Sequence, residues 1–172
     1  MTKRIAIFAL LLMAALGMQA QSLLGTWKTT VDEDGQKKDY YLAFTQDTLT
    51  VKVLSPITDV GMATFVISVQ QPYNYTLSGD LIAMKGDAET MTMGIEKMEF
   101  YGQVAEAIKQ NPEMKKMIED EMKKAVMKGM EAFKDQYMQE LSNFNTMIIQ
   151  KLTATELVLV DKDGPNVFTR VN

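Results

Sequence analysis

The chain has 172 residues, with 18 Lys and Arg against 22 Asp and Glu, a formal net charge of −4, and no histidine or cysteine. Without cysteine there can be no disulfide and no lipid on a leader cysteine, and without histidine there is no Ser-His or Cys-His dyad and no His-ligated metal. The charge is mildly acidic and no basic stripe interrupts it, which argues against a nucleic-acid partner.

Residues 1–20 read as a leader rather than as part of the fold. Lys3 and Arg4 form a basic start, Ile5 to Leu16 an apolar run, and Gly17 and Ala20 offer small residues for cleavage before Gln21. A membrane span needs ~20 apolar residues, and this run is shorter. The expectation is therefore an exported protein, periplasmic or secreted, that is neither a lipoprotein nor membrane-spanning. Residues 21–172 are then one domain, long enough for a single core.

From Gly25 to Phe100 the apolar period is two. Tyr40, Leu42 and Phe44 alternate with other residues, Gln46-Asp47 turns the chain, and Leu49, Val51 and Val53 alternate again. Phe65, Ile67 and Val69 form one further face, Tyr73, Tyr75 and Leu77 another, and Met91, Met93 and Ile95 a third. Asp34-Gly35, Gly79-Asp80, Gly86-Asp87 and Asp163-Gly164 read as turns between strands. Ser55-Pro56 and Gln71-Pro72 read as strand ends, because proline cannot donate to a ladder. The count is about seven strands before a helical segment and about three after it.

At Gly102 the period changes. Val104 to Gln110 reads as a short helix, and Asn111-Pro112 restarts a second one that runs to about Ser142, interrupted only by Gly129. Ile118, Met122, Ala125, Val126, Met130, Phe133, Tyr137, Leu141 and Phe144 share one broad face. Such a helix would be ~45 Å long, so it would overhang a barrel, bend near Gly129 or pack against another copy. Met117, Met127 and Met138 lie off that stripe. They are either unremarkable surface residues or the makings of a second contact, a dimer seam or a lid.

Gly25-Thr26-Trp27 at the first strand, answered by Phe168-Thr169-Arg170 on the last, resembles the closure of a lipocalin-like bacterial β-barrel. The resemblance covers both ends and the strand rhythm between them, but not the helical segment. It implies a mainly β fold: an antiparallel up-and-down barrel of about 8–10 strands with a helical insertion at about 102–145. It also implies that Gly25, Trp27 and Arg170 close one end, with the Arg lying across the indole.

The expected role is non-enzymatic binding of a small, mainly hydrophobic molecule inside the barrel. Tyr41, Phe44, Phe65, Ile67, Tyr75, Met91 and Met93 are the candidate lining residues, although a shift of one residue in register would exchange the faces. The competing expectation is a barrel filled by its own side chains, in which helix 112–142 forms a homodimer or docks on an envelope protein. Met91 and Met93, with Met84 and Met98, carry soft sulfurs that suit Cu(I). Alternating large apolar residues are also what a barrel interior contains, and no cofactor or metal is expected. The carboxylates Asp32, Glu33, Asp34, Asp59, Asp80, Asp87, Glu89, Asp161 and Asp163 mostly flank turns. Only their separation in space would reveal a hydrolytic pair, and an enzyme is not expected.

Overall fold

The computed structural model describes residues 23–33, 35–57, 62–132, 134–135 and 146–171. The leader expected at 1–20, Asp34, Asp59 and the far end of the long helix lie outside the described residues.

The strands are β1 (Gly25–Glu33), β2 (Gln36–Phe44), β3 (Thr48–Ile57), β4 (Ala63–Ser78), β5 (Leu81–Gly86), β6 (Thr92–Phe100), β7 (Thr146–Leu152), β8 (Glu156–Asp161) and β9 (Gly164–Val171). Between β6 and β7 stand α1 (Gly102–Gln110) and α2 (Glu113–Glu131). Every pairing is antiparallel, and the hydrogen-bonded order runs β3-β2-β1-β9-β8-β7-β5-β4, with β4 pairing back to β3. The sheet is thus a closed barrel of eight strand courses, with the two helices inserted before the last three strands.

Eight courses arise from nine strands because β5 and β6 share one. Both run antiparallel to β4 on the same side of it, β5 along Tyr73–Ser78 and β6 along Ala63–Gln70. Gly86-Asp87 is therefore not a reversal, and among the described residues six strands rather than seven precede the helices. The chain passes through a 3₁₀ turn at Ala88–Thr90 and continues in the same direction. Gln71 makes this possible. Its side chain is buried, and its amide nitrogen donates to the carbonyls of Asp87 (2.7 Å) and Pro72 (3.0 Å) and to Thr90 Oγ1 (3.0 Å). Gly86 lets the ring of Tyr73 close over the corner, since a Cβ there would stand 2.7 Å from that ring.

The prolines also behave differently from their reading as strand ends. β4 runs straight through Pro72 and β3 reaches Ile57 beyond Pro56. At Gln71-Pro72 it is the neighbouring course that breaks. At Pro56 the pairs between β2 and β3 have already stopped, the last joining Asp39 to Leu54, so one side of β3 is an edge where proline is tolerated.

The interior follows from strand parity. Trp27, Leu42, Phe44, Leu49, Val51, Val69, Tyr73, Ile82, Met84, Leu157, Leu159 and Phe168 are buried in one cluster with Leu23, Met91 and Met147. Among the described residues the long helix keeps its course through Gly129 to Glu131, a span of about 28 Å. It packs on β6, and its Met130 is buried. Lys115–Glu119 and Glu121–Lys124 pairs lie along its exposed side. No helix of the described residues is long and apolar enough to cross a membrane.

Candidate functional site at the barrel mouth

The two ends of the barrel differ. At the end where β1 begins, Trp27 is fully buried and its Nε1 donates to the Leu23 carbonyl at 2.8 Å. The Arg170 guanidinium carbon sits 4.3 Å from the indole centroid. Arg170 also donates from Nη1 to the Leu24 carbonyl (2.7 Å) and from Nε to the Ala154 carbonyl (2.8 Å). Gly25 has φ +118°, and a Cβ there would stand 2.8 Å from Nη1, so only glycine leaves room for the guanidinium. This end is a solid plug.

At the other end the wall opens. The pairs that join β1 to β9 are Thr26 with Val171, Trp27 with Arg170 and Lys28 with Thr169. Beyond Lys28, β1 continues along β2 and β9 along β8, and the two strands part. Thr29, Val31 and Glu33 face the gap from β1, Phe168 and Asn166 from β9, and Leu159, Asp161 and Asp163 from β8 and its turn. Tyr40, Leu42, Val51 and Met147 complete a cavity of about 200 Å³. Val31, Leu42, Val51, Met147, Leu159 and Phe168 make its floor apolar. Its rim is polar and carries three carboxylates: Glu33, Asp161 and Asp163.

The rim carboxylates are not equivalent. Glu33 accepts from Lys38 Nζ, and at 2.7 Å from the Tyr40 hydroxyl. The lysine first and the tyrosine second hold its carboxyl below the usual range, against the opposing effect of partial burial. Asp161 caps the β8–β9 turn, accepting from the backbone N–H of Asp163 (2.8 Å) and from Asn166 Nδ2 (3.3 Å). Neither Asp161 nor Asp163 is ion-paired to a described lysine or arginine.

The residues singled out from the sequence fall in different places. Phe44 is buried in the main cluster, edge-on to Tyr75 with ring centroids 5.5 Å apart. Tyr75 is half-buried, and its hydroxyl donates to the Thr45 carbonyl at 2.8 Å, at the plugged end. Met91 is buried in the cluster and Met93 packs against it. Phe65 and Ile67 are buried on the part of β4 that pairs with β6, outside that cluster. Tyr41 is a correction. It stands on the outer face with Lys28 Nζ 5.3 Å from its ring centroid, because Leu42 and Phe44 take the inward parity of β2 and adjacent residues point oppositely. None of the seven lines the cavity.

Sequence reasoning missed Val31, Tyr40, Leu42, Val51, Met147, Leu159 and Phe168 as lining. Their alternation was legible, but no sequence signal shows which inward residues meet and which leave space. No group of three or more Asp, Glu, His or Cys side chains that could hold a metal occurs among the described residues.

The outer wall carries a second feature. Cross-strand pairing sets Leu81 beside Ile148, Ile148 beside Val160, and Val160 beside Pro165. Val167 lies next to this row, opposite Val158. Ile148 is 51% exposed and Val167 52%, so an apolar strip crosses four strands in contact with solvent. Compared with protein-family models, curated proteins and solved structures, the chain matches none of them.

Proposed function

We propose that the protein is an exported, non-enzymatic binder of a small, mainly apolar molecule, taken up at the mouth between β1 and β9. The observation that carries this reading is the open apolar cavity of about 200 Å³ in a barrel whose other end is packed solid. An engineered apolar cavity of about 150 Å³ accepts benzene, so the size suits a single ring with a few further atoms. Affinity would come from apolar ligand surface leaving water, at about 25 cal/mol per Å² before the costs of binding. The Trp27–Arg170 plug is the kind of closure that the lipocalin-like resemblance implies, and it supports the same role.

The test is native mass spectrometry of the protein purified from its own cells without detergent, beside a Val31→Phe variant that fills the cavity. About 100–200 daltons of extra mass, the size such a cavity admits, lost on denaturation and missing from the variant, is the expected result. Extra mass retained by Val31→Phe would place the ligand elsewhere. A bare protein that also takes up no small aromatic probe would overturn the reading.

A second reading is assembly: a homodimer, or docking on an envelope protein. The outer strip of Leu81, Ile148, Val160, Pro165 and Val167 favours it, as does Met117 of α2, which is 59% exposed. A concentration-dependent dimer in light scattering, abolished by Ile148→Ser, would support this reading over the first.

A further inference from the structure

The cavity also indicates the chemistry of its guest, an inference that rests on the binding reading above. Among the twelve residues that line it there are three carboxylates and no lysine or arginine. Lys38 approaches the rim, but it is spent on Glu33. Asp161 and Asp163 remain without a cationic partner among the described residues. They stand at the outer edge, above a floor made by Val31, Leu42, Val51, Met147, Leu159 and Phe168. An anionic head placed there would meet like charge, and a neutral head would gain only hydrogen bonds. A protonated amine would donate to both aspartates while its apolar end filled the floor.

We propose that the mouth cavity selects a small amphiphile whose inner end is an aryl or short alkyl group and whose outer end is a protonated amine, held by Asp161 and Asp163. Both aspartates line the cavity, and the turn fixes Asp161, whose Oδ1 receives the Asp163 backbone N–H and whose Oδ2 is steadied by Asn166. Tyr40 and Glu33, bonded to each other, wall the opposite side.

The probes are 2-phenylethylamine, 2-phenylethanol and 3-phenylpropionate, which share a ring and differ in head charge. Titration calorimetry at neutral pH and low salt should rank the amine tightest and the propionate weakest. The amine should lead the alcohol by about fivefold, as expected of partly exposed charge pairs. Raising the salt should erode the amine's lead and leave the alcohol unchanged. In an Asp161→Asn, Asp163→Asn double variant the lead should vanish while the alcohol still binds, which also reports an intact cavity. If that variant does not fold, the salt series on the parent protein decides. Alcohol and amine binding equally, at all salt concentrations, would overturn the amine head and leave the apolar binder standing. Failure of all three probes would overturn both.

Discussion

Arg170 lies over Trp27, its guanidinium carbon 4.3 Å from the indole centroid, and the two residues are also a cross-strand pair between β9 and β1. One contact therefore joins the last strand to the first, covers the largest side chain of the core and supplies two carbonyls with donors. Arg170 is half-buried, so the cation–π contact contributes about 1 kcal/mol, between the exposed and desolvated cases. Trp27→Ala should cost about 3–5 kcal/mol. Arg170→Lys should cost about 1–2 kcal/mol, because lysine lacks the planar fork that stacks and donates at once. Urea denaturation measures both, and an Arg170→Lys midpoint equal to that of the parent would remove the closure from the list of stabilising contacts.

Gln71 predicts a different kind of loss. Its amide holds the corner between β5 and β6, and Gln71→Leu would leave the Asp87 and Pro72 carbonyls without that donor. The expected cost is about 1–3 kcal/mol. Hydrogen exchange should show the change first in β6, whose pairing partner is β4. Uniformly faster exchange across the barrel would mean that Gln71 serves general packing rather than the corner.

Helix α2 is seated on β6 and buries Met130. Met130→Asp should unseat it, since an unpaired charge there loses its hydration. Protection of amides in 113–131 should fall while Trp27 fluorescence and the main melting transition persist. Loss of the whole fold would show that the helix is part of the barrel core.

The acid limb of stability should be gentle and monotonic. Hydrogen bonds from Lys38 and then Tyr40 lower the Glu33 carboxyl, and one from Lys52 lowers that of Glu96. For Asp39, burial pushes upward, but Lys28 and Thr30 outweigh it and the carboxyl also ends low. Each folded-state value lies below the unfolded one. Their contribution is therefore complete above about pH 5 and is lost as pH falls through the folded values. Lys38→Met should flatten part of this limb in denaturation measured from pH 6 to pH 2.

The alkaline limb belongs mainly to Tyr73, whose phenol burial pushes up from 10.0 to about 12, with the Tyr75 phenol raised in the same direction by burial and then by Asp47. The folded protein keeps the proton that the unfolded chain releases, so stability is full below pH 10 and declines as pH rises toward 12. The decline should be on the order of 2 kcal/mol. Tyr73→Phe should show a flatter limb over that window, and an unchanged slope would assign the effect to another group.

The alternation of Leu42 with Phe44 and of Leu49 with Val51 made a half-buried antiparallel sheet legible, as did the change of period at Gly102 and the Gly25, Trp27 and Arg170 positions at the ends. These are local matters. Side chains alternate along a strand whatever its partner, and a helix keeps its period wherever it docks. The naming of Tyr41 beside Phe44 failed on the same rule, since residues of opposite parity cannot share a face.

What the sequence determined by itself was the class of fold, the inventory of chemistry and the exclusions that follow from having no histidine and no cysteine. The tertiary structure alone decided that β5 and β6 are one course, because only pairing with β4 shows it. It also decided where the interior is empty. Whether inward residues interlock or leave a gap depends on how far β1 and β9 stay paired, and that separation is a property of the closed barrel, not of either strand. Asp161 and Asp163 read locally as turn residues. They become the rim of a cavity only when the barrel brings Val31, Leu42 and Val51 beneath them.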